Sequence, residues 1–175
     1  LYAFTNCEMS ISPNCCVIID ETPIFLSVDE LLKMSTENTV KLLRKELEIH
    51  QKVLEEKWHF SSLEQIFIEN RIYREIEECE TWEAVLTTID KGLDPFKSQL
   101  KREVVEDDLV RLTEIKIKRI SKFDSLKADE IIAKIEANLD EVKNNLSHLT
   151  KYVIRYFEQI LKNHGEGRER RTVIS

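Results

Sequence analysis

From Ala128 to Ile160 apolar residues return in alternating steps of four and three: Ala128, Ile132, Ile135, Leu139, Val142, Leu146, Leu149, Val153, Tyr156 and Ile160. Charged and amide residues fill most of the positions between. This 3.5-residue repeat predicts a left-handed coiled-coil seam on one continuous helix over 125–163. Gly165, just after Asn163-His164, is placed to stop that helix in a left-handed C-cap. Upstream, Val40, Leu43, Leu47, Leu54 and Trp58 follow a looser version of the same rhythm. His50 fills its gap as a polar break that would help to set register. Ser27 followed by Glu30 has the spacing of a capping box, and neither Pro nor Gly occurs again until Gly92. The pattern predicts a first helix over 27–70, about 60 Å long at 1.5 Å per residue.

Before Ser27 the period changes to that of strands. The short runs Cys16–Ile19 and Ile24–Leu26 flank Asp20-Glu21-Thr22-Pro23, which reads as the turn of a hairpin. Such a hairpin is too small to stand alone and should trail a larger domain. Between the two long helices the apolar clusters are shorter. Trp82, Val85, Leu86 and Ile89 form one, and Gly92 and Asp94-Pro95 punctuate it. Leu109, Leu112 and Ile115 predict a helix over 106–120, which Ser121-Lys122-Phe123-Asp124 interrupts.

Two long helices that leave and return to one base must run antiparallel. The predicted fold is therefore mainly α: a long antiparallel two-helix coiled coil with a small helical globular tip domain, and a short β-hairpin at its N-terminal base. The expected divisions are a trailing β segment over 1–26, a first arm over 27–70, a tip domain over 71–124, a second arm over 125–163 and a return segment over 164–175.

Composition narrows the function. Of 175 residues 34% are charged and only three are Gly and three Pro, which suits long solvated helices. The net charge of -7 excludes a surface that binds nucleic acid all over; such a contact needs a local basic patch. No apolar run approaches the ~20 residues of a membrane span. The chain opens on Leu, as an excised piece of a longer protein would. Of the cysteines Cys7, Cys15, Cys16 and Cys79, the adjacent pair lacks the spacing and the second pair that zinc requires. They read as small apolar residues in a reducing compartment. His59, His148 and His164 have no partner at metal-ligand spacing. The adjacent pairs Asp107-Asp108 and Glu77-Glu78 point to different helix faces and read as solvated surface. No nucleophile, base and oxyanion donors can be assembled, so an independent enzyme is not expected.

Three blocks carry a resemblance. Residues 109–120 (LVRLTEIKIKRI) with Ser121-Lys122-Phe123-Asp124 resemble the approach to the second arm in the A subunits of bacterial topoisomerase IV and gyrase. Residues 167–174 (GRERRTVI) resemble the stretch that leaves the coiled coil of that family, and Leu1-Tyr2-Ala3-Phe4-Thr5 its approach from the tower domain. The blocks stand in family order across essentially the whole chain, and they look nearer to topoisomerase IV.

The resemblance implies a mechanical role. In such enzymes one duplex passes through a break in another and leaves through a dimer contact at the tips of the arms, the exit gate. It implies a cytoplasmic, chromosome-associated homodimer that works with a B subunit on double-stranded DNA. ATP and Mg2+ would belong to the B subunit, and no cofactor, metal or catalytic residue is expected in this chain. The nucleophile of the family is a tyrosine preceded by arginine in an upstream domain. Arg155-Tyr156 has that order, but Tyr156 falls on the heptad seam and reads as a packed coiled-coil residue. By resemblance the dimer contact falls on Leu112, Ile115, Lys116, Arg119, Ile120 and Phe123. The apolar members could equally be core of the tip. Arg168, Arg170 and Arg171 are a candidate DNA contact, although Glu166 and Glu169 dilute their charge and favour a solvated end. Rival readings are a tethering or hinge module of a chromosome-structuring protein, which would have more Gly and β structure, and the arm of a tRNA synthetase, which would be basic.

Overall fold

A computed structural model describes residues 4, 5, 12 and 14–169. Arg170, Arg171 and Cys7 lie outside the described residues. The chain divides into two units, Leu1–Lys45 and Glu46–Ser175.

In the first unit, β1 (Cys15–Ile19) pairs antiparallel with β2 (Thr22–Leu26). The turn is tighter than the sequence suggests. Only Asp20 and Glu21 form it, both at positive φ (48° and 63°), the sense of a primed two-residue turn that matches strand twist. Thr22 and Pro23 belong to β2. Counted from the turn, the Ile18–Pro23 pair is one that exchanges no backbone hydrogen bonds, so the missing N–H of proline costs nothing there. Cys16, Ile18, Pro23 and Phe25 share one face, and Ile18 and Phe25 are exposed on it.

Helix α1 (Val28–Glu69) begins as its capping box predicts. The Ser27 amide donates to the Glu30 carboxylate at 2.8 Å, and the Glu30 amide donates to the Ser27 hydroxyl at 3.3 Å. The Ser27 amide, and then the Ser27 hydroxyl that also donates to this carboxylate at 2.7 Å, hold the Glu30 pKa below the usual carboxylate value. The helix ends at Arg71, which takes the left-handed conformation without being glycine (φ 57°).

In the second unit, the remainder of α1 lies against α5 (Ser125–Ser147). Trp58 Nε1 donates to Glu136 Oε1 at 2.9 Å, Gln65 donates to Asp129 at 2.8 Å, and the Ser125 hydroxyl donates to Glu69. As the first member rises along the chain the second falls by the same amount, which fixes the pair as antiparallel in one register. Leu47, Leu54 and Trp58 on α1 and Leu139 and Val142 on α5 are buried, each worth about 1.5–3 kcal/mol of transfer free energy. His50 is exposed, contrary to its expected seam position. Gln51 takes that place, half-buried, and its amide bonds Glu55 at 2.8 Å.

The predicted continuous second helix is interrupted. Helix α6 (Leu149–His164) follows α5 across His148, which stands at φ -116°, ψ 43°. The cause is competition for one acceptor. The Asn144 carbonyl receives the His148 amide at 3.0 Å, the Ser147 hydroxyl at 2.9 Å and His148 Nδ1 at 3.1 Å. Arg155 reaches back over the break to the buried Asn145 at 3.0 Å. The buried run of the seam ends at Val153; Tyr156 is 38% exposed and packs edge-on against Phe157. Tyr156 is thus neither on the same continuous helix as the start of the seam nor fully packed.

Between α1 and α5 lie a 3-10 helix (Ile72–Glu78), α2 (Trp82–Leu93), a second 3-10 helix (Asp94–Gln99), α3 (Glu106–Thr113) and α4 (Ile117–Ser121). The single helix expected over 106–120 is broken at 114–116. On a straight helix Ile115 and Ile120 would point about 140° apart. The break lets both pack on the same core of Leu63, Phe67, Ile72, Ile89, Leu93, Leu109 and Leu112.

Gly165 also differs from expectation. Its φ is -77°, and what demands glycine is space, since a Cβ there would meet the Leu161 carbonyl oxygen at 2.4 Å. The left-handed residue is Gly167, φ 76°.

Gly92 is the tightest point of the α2 packing, because an added Cβ would stand 2.8 Å from Ile72 Cγ2. Helix propensity alone favours Gly92→Ala by about 1 kcal/mol. Ile72 is β-branched and 2% exposed, so the methyl has no room and the substitution should lower the thermal midpoint. Circular dichroism melting checks this; a raised midpoint would mean that the core yields.

Candidate functional site

The position of α3 and α4 is set by one buried carboxylate. Asp108 is 1% exposed, so the expectation of a solvated Asp107-Asp108 pair fails for this member. It sits at the third position of α3 and reaches back to accept the Val105 amide at 3.1 Å, satisfying a donor at the helix start. Arg102 grips it with both terminal nitrogens, at 2.6 and 2.9 Å, and grips Glu56 of α1 at 2.9 Å. His59 Nε2 lies 3.3 Å from Asp108 Oδ2, the oxygen that Arg102 Nη1 and the Val105 amide also bond, and His59 is 1% exposed. With Asp108 ionised, Nε2 must be the donor, which leaves Nδ1 unprotonated and without a partner.

Burial pushes the Asp108 pKa up, but the bonds from Arg102 and Val105 and the positive charge of Arg102 outweigh it and hold it below its ordinary value. Burial, then the Arg102 charge, lowers the His59 pKa, while Asp108 pulls it partly back. The network ties α1, the 100–105 segment and α3 together.

With α3 fixed, α4 closes an open groove of about 650 Å³ against α1. Its floor is Phe60 and Ile115, and Arg111 lies over the Phe60 ring at 4.0 Å. Lys116, Lys118, Arg119 and Lys122 complete a basic wall, against Glu64 and Glu114. Arg119 is neutralised internally by the buried Glu64, with Nη2 at 2.6 Å from Oε2. Among the described residues Lys116, Lys118 and Lys122 form no ion pair.

The residues singled out from the sequence fall in different places. Lys116 and Arg119 are exposed on this wall, and Ile115, Ile120 and Phe123 are half-buried against the core. Leu112 is 1% exposed, so its side chain is committed to the core and offers no surface. Arg168 is exposed beyond α6, and its amide bonds the Gly165 carbonyl at 3.0 Å. Two exposed residues were not singled out as site candidates from the sequence. Ile117 of α4 is 82% exposed between two lysines, and Trp82 at the start of α2 is 55% exposed. The alternation Ile115-Lys116-Ile117-Lys118 held the signal for the first, since only one of two such isoleucines can face the core.

Among the described residues no group of three or more His, Cys, Asp or Glu is arranged to hold a metal. Among them, too, no helix is long and apolar enough to cross a membrane. Cys15, Cys16 and Cys79 are free thiols.

The buried network makes stability pH-dependent. Unfolded, His59 binds a proton near pH 6.5 and Asp108 near 3.8; folded, each binds it only at lower pH. Wherever the unfolded chain holds more protons, stability falls with acidification. The melting temperature should therefore drop from about pH 7.5 to about pH 5.5, and His59→Gln should flatten that slope. An unchanged slope in the variant would assign the dependence to other groups.

A family model for the A subunit of DNA gyrase/topoisomerase IV matches residues 1–158. The whole chain is 32% identical over 175 residues to the A subunit of DNA topoisomerase 4 from Borreliella burgdorferi, and it spans 28% of the length of that relative. Together these matches place the chain in the family of DNA gyrase and topoisomerase IV A subunits.

Proposed function

We propose that this chain is the coiled-coil arm and dimeric exit gate of a type II DNA topoisomerase A subunit. The observation that carries the reading is the antiparallel register of α1 with α5, combined with the core that the segments between them build on the end of α1. Family membership gives that arm a task. Residues 1–26 end the tower domain, 27–70 and 125–163 are the two strands of the arm, 71–124 are the gate and 164–175 return to the tower. The bare apolar face of Ile18 and Phe25 suits a hairpin that adds to a larger domain.

The gate holds two copies of the chain together in the bacterial cytoplasm while DNA is cut elsewhere in the enzyme. It opens to release the passed duplex during ATP-dependent strand passage with the B subunit. The fragment contributes no catalytic group. Its dimer contact is the α4 surface: Lys116 and Arg119, the exposed edges of Ile115, Ile120 and Phe123, and Ile117 at the most exposed point. Leu112 supports this surface from beneath.

Light scattering behind size exclusion, over a concentration series, tests the reading. A dimer of twice 20.6 kDa is expected. Ile117→Asp should split it with helicity unchanged, because that side chain leaves the core untouched. Ile115→Asp should split it and destabilise the fold as well. A parent chain that stays monomeric at every concentration would reject a self-sufficient gate and favour a tethering arm.

A further inference from the structure

The α4 surface poses an electrostatic problem for a two-fold dimer. A two-fold contact is self-complementary: residue i of one copy meets residue j of the other, and j meets i. If α4 packed on α4 across the axis, Lys116, Lys118 and Lys122 would face their own copies. None of them is in an ion pair within its own chain, among the described residues. Like charges set against each other at an interface cost several kcal/mol, so this surface must lie off the axis and meet an anionic one.

The chain carries such a surface on adjoining elements. The first 3-10 helix packs on α2, and α2 packs on α3, which leads into α4. Across the end of that 3-10 helix and the start of α2, Glu75, Glu77, Glu78, Glu80 and Glu83 are all exposed. Among the described residues none of these carboxylates is in an ion pair. Trp82 stands among them, 55% exposed, anchored by the Thr81 cap whose hydroxyl accepts the Ala84 amide at 3.3 Å. An exposed tryptophan ringed by glutamates complements an apolar floor ringed by lysines. Tryptophan is also the side chain most enriched among residues that dominate binding.

We propose that the groove walled by Lys116, Lys118 and Lys122 receives the Trp82 acidic segment of a second copy of this chain, reciprocally, so that one dimer contains two such contacts. The inference rests on the gate reading above and specifies the charge pairing that reading lacks.

Two variants of the chain test it. Lys118→Glu with Lys122→Glu makes groove and acidic segment both negative, whereas Glu77→Lys, Glu78→Lys and Glu80→Lys together make both positive. Each should weaken the homodimer by more than about tenfold in light scattering, with the circular dichroism spectrum unchanged. Mixed in equal amounts, the two should form a heterodimer, because each groove then meets a segment of opposite sign. Trp82→Ala should weaken the parent dimer without losing α2, and dissociation should rise with salt.

If the parent dimerises but the variants do so equally well, or their mixture stays monomeric, the acidic segment is not the occupant and the gate reading stands. If the Lys118/Lys122 variant pairs as well with the parent chain as with the glutamate-to-lysine variant, whose α4 is also unchanged, α4 meets α4 and the proposal fails. A parent that never dimerises overturns both readings.

Discussion

Everything on the α3–α4 side of this chain hangs from the carboxylate of Asp108. A buried ion pair is weak evidence for net stability, because desolvation consumes most of the Coulomb gain, but removal of one partner leaves a stranded charge. Asp108 of α3 is bound by a bidentate arginine and a backbone amide from the 100–105 segment and by a histidine from α1. Only one placement of α3 on α1 satisfies all of them. The network therefore acts mainly on geometry. It fixes the angle at which α3 leaves α1, and the break at 114–116 then carries α4 across to close the groove. Glu64 does the same on a smaller scale, buried on α1 and bound to Arg119 of α4.

The elements with local causes were legible in the sequence. Ser27 and Glu30 announced the start of α1, and the heptad run announced the inward face of α5 as far as Val142, although it passed over the buried Asn145. What failed had causes spread over distant residues or over backbone geometry. His148 lies inside an unbroken heptad pattern, and the pattern is blind to three donors that converge on one carbonyl. Asp108 looks like any helix-surface acid until Arg102 and His59 arrive from elsewhere. The break between α3 and α4 is invisible to periodicity, because it exists to bring Ile115 and Ile120 onto one core. For the candidate site, the segment over 112–123 was chosen from its resemblance. Which of its side chains face outward was not, since exposure depends on that break: Leu112 turns inward and Ile117 outward.

The proposed gate role sets a further demand, and the chemistry of this surface suits it. A contact that must open within each cycle cannot resemble a permanent apolar interface. In the proposed contact most of the attraction comes from exposed lysines and glutamates on rims, whose individual pairs are worth about 0–1 kcal/mol and exchange readily with water. One aromatic residue and one exposed isoleucine per copy supply the apolar share. Such an interface forms quickly because opposite potentials steer the approach, and it separates without exposing a large apolar area. On that proposal the core around Leu112 would stay dry throughout, because Leu112 and its neighbours lie beneath the surface rather than in it. Opening would therefore cost contacts between copies only, and the fold that carries those contacts would not have to change.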